Sequence, residues 1–403
     1  MNATDFSPLR IALVTGGLQF GGSTTWALFA ARGLKGLGHA VEVFCFTKNH
    51  PMHREFQDIG VPVHTADEER AIFEDRLELL YERLRRQEPN VIFAVLGVEP
   101  LELFRYAPPG VLRVAMVHDR VPEAFEAIKL HQPHVDHLVL LAKHLIEDAR
   151  QFVPDLPSTY LAHGVPISPN MPLRQPNPDS SLKILYYGRI DQSAKQVRMF
   201  PIIWRGLKER KISFRWTIHG HGPEEGYLRE QMAAGVESGE IIFSKPVHYD
   251  ALDAIIAQHD VYLLASRFEG GPLTLLESMA RGLVPVCGDI PCLIQEVVNE
   301  RNGFRVPHTD PAAYVESLAR LDQDRPLLES MSEEARRTIR QDFSVIAMAE
   351  RYVDFIRRSA TLNGPVSWAA KVRFNAMKSL NSPLLYFRAF RPLRRLLKKI
   401  GVG

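Results

Sequence analysis

The sequence predicts an α/β protein built from two doubly wound, parallel-sheet domains in series. Short apolar runs alternate with helical stretches through both halves of the chain, the pattern of repeated βα units. In each half a glycine-rich turn joins the end of a strand to the start of a helix, as in dinucleotide-binding βαβ units. Between the halves, seven prolines from Pro154 to Pro178 interrupt the alternation; that density suits neither a helix interior nor a central strand.

The first half opens on the apolar run LRIALVT, the turn GGLQFGG, the helical stretch STTWALFAARGLKGLG and a second strand, AVEVFCF. That order is the sequence form of a βαβ unit. Further strands are expected at NVIFAVLG, VLRVAMVHD and HLVLLA. The proline-rich stretch sets a linker over 168–182, which closes a first domain at 1–167. Alternation resumes with KILYYGRI, FRWTIHGHG, EIIFSKP, DVYLLAS and VPVCG, followed by largely helical sequence to about residue 360. A second domain is expected over 183–345, then a closing helix over 346–363 and a tail over 364–403.

A chain of 403 residues, 45% hydrophobic and 24% charged, can bury two ample cores. The opening MNATDFSPLR lacks the basic-then-apolar layout of a signal peptide, and no run approaches the roughly 18 apolar residues of a membrane-spanning helix, so a cytoplasmic protein is expected. Cys45, Cys287 and Cys292 are odd in number and lack metal-type spacing, so they read as small buried hydrophobes. The net charge of +2 hides an asymmetry. Residues 364–403 hold nine Lys and Arg and no acid, which leaves 40 bases against 47 acids in the rest. Positive charge confined to a tail, with no recognition motif, argues against nucleic acid as a partner.

The most informative stretch is VYLLASRFEGGPLTLLESMARGLVPVCG, 261–288. A buried strand is expected to end at Ser266, and a turn with Glu269, Gly270 and Gly271 comes next. Pro272 then falls at the first helical position. The amides of about Leu273, Thr274 and Leu275 would face outward, and such a helix end attracts phosphate. Two glycines let a bulky anion approach the backbone. Glu277 lies about five residues into the helix, roughly 7 to 8 Å along its axis, a fitting offset for ribose hydroxyls. Elsewhere, GLQFGGST in the first half lacks the lysine of a nucleotide-binding P-loop. His131, His134 and His137 are interrupted by Pro133 and read as structural rather than metal-binding. The pair Asp322 and Asp324 reads as a solvated charge cluster.

This stretch resembles the signature of glycosyltransferase family 4, in which two glutamates with seven residues between them frame the pattern read here from Glu269 to Glu277 and on through Ser-Met-Ala-Arg-Gly-Leu-Val-Pro-Val. YYGRIDQSAKQ, IHGHGPEEGYL and FSVIAMAERYVDFIRRSA are similar to further family segments, over about 183–360. The resemblance implies a GT-B fold, two Rossmann-like domains facing across a cleft. It implies a retaining transferase moving a hexosyl group from a nucleotide-diphosphate sugar to a glycan or lipid-linked acceptor, as in surface polysaccharide or glycoconjugate assembly. Glu277 would bind the donor ribose and Glu269 would stand by the transferred sugar and the phosphates. Arg189 and Lys195 would hold the diphosphate, Gly21 and Gly22 would bring backbone against it, and His118 would face the donor sugar. Two cations and a helix end can stabilise a leaving diphosphate without a metal, and no cofactor is implied. The leaving phosphate would itself accept the acceptor's proton, with attack on the same face.

The family pattern is broken at four places: Gln196 stands where glycine is usual, Gly288-Asp289 where two glycines are common, Ser23-Thr24 where an acidic residue follows the first glycine turn, and His221 where aspartate is frequent. A nucleotide-sugar epimerase and a non-catalytic nucleotide-sugar-binding protein remain as alternatives. In the tail, Leu393, Leu396, Leu397 and Ile400 share one helical face and Arg394, Arg395, Lys398 and Lys399 the other. A basic amphipathic helix suits an anionic membrane surface, where each base adds about 1 kcal/mol.

Overall fold

The computed structural model describes residues 7–47, 50–66, 72–175, 181–245, 249–293, 296–359 and 366–368. The chain divides into two compact units, one of 1–162 with 345–403 and one of 163–344. The division falls inside the proline-rich stretch.

In the first unit, the described residues form a parallel sheet from β1 (Arg10–Thr15), β2 (Ala40–Cys45), β3 (Val63–Thr65), β4 (Val91–Leu96), β5 (Leu112–Val117), β6 (His137–Leu140) and β7 (Ser158–Tyr160). Their order, 3-2-1-4-5-6-7, reverses direction between β1 and β4. Strands such as β1 and β5 are buried along nearly their whole length, as parallel strands covered by helices must be. The three-residue strands β3 and β7 were not expected; both are edge strands of intermediate burial and lack an apolar run.

The helix Val345–Ser359 belongs to this unit and packs on the helix Gly22–Gly36. Gly33 makes that approach possible, because a Cβ there would lie 2.5 Å from the Val345 carbonyl oxygen. Beyond it, Val366–Trp368 also lie on the first unit: the Trp368 ring, 8% exposed, stands 5.6 Å from that of Tyr81. Residues 366–368 of the tail expected from 364 are therefore held on the body. Its amphipathic segment, 393–400, lies outside the described residues.

In the second unit, β8 (Leu182–Tyr187), β9 (Phe214–His219), β10 (Ile241–Ser244), β11 (Val261–Leu264), β12 (Val284–Gly288) and β13 (Phe304–Val306) form a parallel sheet in the order 10-9-8-11-12-13. β13, only three residues long, was read as part of the helical stretch. The segment expected as a linker is pinned at Arg174, whose guanidinium is 2.9 Å from Asp260 and 2.8 Å from Glu329. The three cysteines are buried, as expected of small hydrophobes, and burial pushes the Cys45 thiol up to about 12.

Candidate active site

Parallel strands bring all their carboxyl ends to one edge of a sheet, and ligands bind there where the strand order reverses. In the second unit the reversal lies between β8 and β11. The turns after β8, β9 and β11 thus converge by topology alone.

The turns after β8 and β9 stack backbone on backbone. The Gly188 amide donates to the His219 carbonyl at 3.0 Å and the Ile190 amide to that of His221 at 2.9 Å. Glycine is required for this approach: a Cβ on Gly220 would stand 2.0 Å from the Gly188 oxygen, and one on Gly222 2.2 Å from that of Ile190. Asp191 then organises the turn around itself. Its Oδ1 accepts from the Ser193 hydroxyl at 2.8 Å and the Ala194 amide at 2.9 Å, and its Oδ2 from Arg189 Nε at 2.6 Å. Burial pushes this carboxyl up, but the Ala194 amide, the Ser193 hydroxyl and the Arg189 guanidinium together hold it below the usual carboxylate range. The Arg267 amide donates to the Ala194 carbonyl at 2.8 Å, tying the β8 turn to the β11 turn.

That tie brings Lys195 to Glu269. Lys195 Nζ lies 2.5 Å from Glu269 Oε1, and the Ser266 hydroxyl donates to the same oxygen at 2.5 Å. The lysine side chain is 18% exposed, so the pair is only partly screened by water. Arg189 is placed differently: its side chain is 66% exposed and its partner is Asp191. Gln196, next to Lys195, has a left-handed backbone (φ 49°), which favours glycine. Its side chain compensates with a 3.2 Å hydrogen bond to His308.

Gly271, with φ 131°, turns the chain toward the helix Leu273–Ala280. Pro272 is that helix's N-cap and not its first residue, a correction of one position. Its ψ of 101° is extended, which the fixed proline φ permits as readily as a helical one. A second correction concerns the amides. That of Leu275 donates to the Pro272 carbonyl at 3.0 Å, so Leu273 and Thr274 are left as the first-turn amides outside the helix's own ladder. Glu277 is 4% exposed, hence not a solvated helix residue. The Tyr187 hydroxyl faces two acceptors, Glu277 Oε2 at 2.9 Å and the Thr274 carbonyl at 2.8 Å. The Tyr262 hydroxyl donates to Thr274 Oγ1 at 2.8 Å. Burial, then the Glu277 charge, pushes the Tyr187 phenol well up, so it stays a donor.

Sequence reasoning missed Tyr187, Ser266 and Asp191 as supports of the site. Tyr187 could have been suspected from its place beside Gly188-Arg189, whereas nothing in the sequence announces a partner 90 positions away. It also passed over His163, whose buried ring lies beside the backbone of Gly270.

In the first unit, Gly21 caps the helix Gly22–Gly36 without a side-chain bond, and a Cβ at Gly21 or Gly22 would meet nothing within 4 Å. Packing does not demand these glycines. His118 follows β5, with its ring edge-on to Trp26 at 5.4 Å. It lines a cavity of about 270 Å³ with Ala94, Val98, Leu101, Ala124 and Ile128. Of the three clustered histidines, His131 is bonded to the Ala127 carbonyl and to Glu102, and His137 to Thr159. Among the described residues no group of three or more His, Cys, Asp or Glu is placed to hold a metal. Asp322 pairs with Arg325, and Asp324 caps the helix Arg325–Asp342.

Residues 170–338 match the family described as Glycosyl transferases group 1. WcaL of Escherichia coli, named as a colanic acid biosynthesis glycosyltransferase, is 32% identical over 180 residues, 41% of this chain and 43% of that protein. An Escherichia coli protein named UDP-Gal:alpha-D-GlcNAc-diphosphoundecaprenol alpha-1,3-galactosyltransferase is 29% identical over 109 residues, 25% of this chain and 27% of that one. The chain thus spans less than half the length of these curated relatives. Among solved structures, HepE of Anabaena in complex with UDP and glucose superposes with a TM-score of 0.70 over 87% of this chain and 100% of that one, at 14% identity. At that identity the likeness establishes the GT-B fold.

Proposed function

We propose that the chain is a retaining glycosyltransferase of the family 4 kind, which transfers a hexosyl group from a nucleotide-diphosphate sugar to a glycan or lipid-linked acceptor in the assembly of a surface polysaccharide or another glycoconjugate. The observation that carries this reading is the contact of Lys195 with Glu269 beside the amino end of the helix Leu273–Ala280. A cation, a carboxylate and outward-facing amides there suit the junction of a sugar with a diphosphate. The names of WcaL and of the galactosyltransferase support a glycan or lipid-linked acceptor.

In this reading the Leu273 and Thr274 amides and Lys195 take the diphosphate, with Arg189 as a second, more exposed cation. Glu277, held by Tyr187, takes the ribose, and Glu269 stands by the transferred sugar. In the first unit Gly21, Gly22 and His118 are substrate contacts. The bond between the sugar's anomeric carbon and the phosphate oxygen breaks, and the acceptor oxygen bonds to that carbon on the same face. The acceptor's proton passes to the departing phosphate oxygen. Cations and a helix end meet the charge that develops, so neither a metal nor a separate base is assigned a role. The basic segment 369–403 would bring the protein to an anionic membrane surface from the cytoplasmic side.

Incubating the protein with UDP- and GDP-linked hexoses, with and without glycan or lipid acceptors, tests the reading. Acceptor-dependent nucleotide release is the expected result, and Lys195→Ala should lower it about 100-fold. An isomerised donor would instead mean an epimerase, and binding without turnover a non-catalytic protein. Removing 369–403 should lower binding to anionic liposomes and spare activity on a soluble acceptor.

A further inference from the structure

The cavity beside His118 is walled almost wholly by carbon. It lies within the first unit, between the carboxyl ends of β4 and β5 and the helices Glu99–Phe104 and Pro122–His131, and holds about 270 Å³. Val98, Leu101, Met116, Val117 and Ile128 supply its larger side chains, and Ala94, Ala115, Ala124 and Ala127 its smaller ones. Ala124, Ala127 and Ile128 share one helix face at i, i+3 and i+4. Ile128 is 2% exposed, but the two alanines are only half-buried, as residues in front of open space are. Protein interiors hold few voids larger than a water molecule, and a dry cavity of about 150 Å³ already takes up benzene.

The polar lining residues gather at one end. His118 and Asp119 follow β5 at its carboxyl end, and Glu123 stands in the first turn of the helix Pro122–His131. Ile128 lies five residues further along that helix, roughly 7 Å deeper at about 1.5 Å per residue. At the rim, Val121 is 43% exposed and Glu123 is exposed as well, so the space opens to solvent there. The cavity thus runs from a polar rim, at the edge of the sheet where ligands bind, into apolar walls.

The walls decide what can enter. A sugar ring seated inside would bury hydroxyls against side chains that offer neither donor nor acceptor, and each would cost free energy. A methylene chain suffers no such loss and gains about 4-fold in affinity for each carbon taken out of water, the equivalent of about 0.8 kcal/mol. The rim decides what can be joined to the chain. Asp119 and Glu123 line it, whereas the guanidinium of Arg120 is drawn off to Asp148 at 2.8 Å. Two carboxylates, with no Lys or Arg among the described lining residues, oppose a phosphate at the rim.

We infer that this cavity is an acceptor subsite, and that it takes the hydrocarbon chain of a glycolipid whose chain joins the accepting sugar through an uncharged link. The inference rests on the transferase reading, in which His118 touches substrate. It narrows the acceptor to an amphiphile, with its sugar at the rim and the first carbons of its chain inside.

The test uses the full chain and n-alkyl glucosides and galactosides, from methyl to dodecyl, below their micelle-forming concentrations. Calorimetric affinity, measured without a donor, should rise about 4-fold per carbon and then level off once the cavity is full. With a donor that the protein turns over, kcat/KM for these acceptors should follow the same curve. Ala127→Leu puts three more carbons into the cavity and keeps a strong helix former. It should bring the plateau to a shorter chain and weaken octyl glycoside binding about 10- to 100-fold, while affinity for the methyl glycoside and for UDP and GDP stays within about 2-fold. Ala124→Leu fills the same space one turn earlier and covers the case in which the first variant fails to fold. Alkyl phosphates of equal length should bind more weakly than the glycosides. Affinity that climbs without a plateau, or a plateau unmoved in both filled variants, would put the chain elsewhere and overturn the inference. Tighter binding of the alkyl phosphates would overturn the uncharged link. A protein that turns over a nucleotide sugar yet ignores chain length sinks this inference alone. A plateau without turnover of any donor sinks the transferase reading, and the acceptor role with it.

Discussion

Replacing Gly220 by alanine puts the new methyl 2.0 Å from the Gly188 carbonyl oxygen, about 1 Å closer than real Cβ contacts come. The backbone at Gly220 has φ 146°, which adds roughly 1–3 kcal/mol of strain for any other residue. To make room, the two turns must part by about that 1 Å. The hydrogen bonds from Gly188 to His219 and from Ile190 to His221, now 3.0 and 2.9 Å, would then stretch beyond bonding range; each is worth about 1 kcal/mol. The total is about 3–5 kcal/mol, or roughly 10 °C in Tm for a unit of this size. Because the same turn carries Arg189 and Lys195, the shift should also cost on the order of 100-fold in turnover. Gly21→Ala is the matched control: its methyl enters open space on an extended backbone. Its Tm should match the wild type, and its turnover should fall only because a donor approaches there. Differential scanning calorimetry and nucleotide release measure the two effects. A Gly220→Ala protein with wild-type Tm and full turnover would refute the claim that backbone stacking builds the site.

Arg174→Met should cost about 3–5 kcal/mol in denaturant unfolding, because it leaves Asp260 buried without its cation and frees Glu329. At Gln196, glycine relieves roughly 1 kcal/mol of left-handed strain but loses the bond to His308, also about 1 kcal/mol, whereas alanine loses the bond with no relief. Gln196→Ala should therefore melt below Gln196→Gly, and the reverse order would mean that the turn is not strained. For His163 the folded state holds the ring near 4 against a usual 6.5. The unfolded chain thus binds the proton first as pH falls. Stability is lost between about pH 6.5 and 4, by up to about 3 kcal/mol. His163→Gln should lack that part of the acid slope, and identical slopes in Tm against pH would contradict the burial of a neutral ring.

Much of the fold was legible because central parallel strands need long apolar runs: KILYYGRI and DVYLLAS announce β8 and β11 without help. The strands that escaped, β3, β7 and β13, are three residues each. With so few residues, neither burial nor alternation leaves a pattern to read. At the site, Lys195, Glu269 and the glycine turns stand on strand-to-helix junctions, which composition marks. Tyr187 acts through a hydrogen bond to Glu277, 90 positions away, a partner fixed only once the sheet forms; Asp191 acts within its own turn, where one carboxylate among several polar neighbours carries no distinguishing pattern; and His163 needs its ring's surroundings to be noticed at all. Pro272 was misplaced by one residue because proline's fixed φ suits the cap and the first turn alike, and only ψ separates them.

Val165 and Ser344 form a parallel bridge, so the stretch 163–344 leaves and rejoins the rest of the chain at neighbouring points. It is an insertion closed at its neck. Genetic exchange of such a cassette needs no rerouting of the polypeptide on either side, and whatever ligand preference it holds can be swapped as one piece while the host fold keeps its own. Expressed alone, the cassette would begin and end where its own backbone already meets.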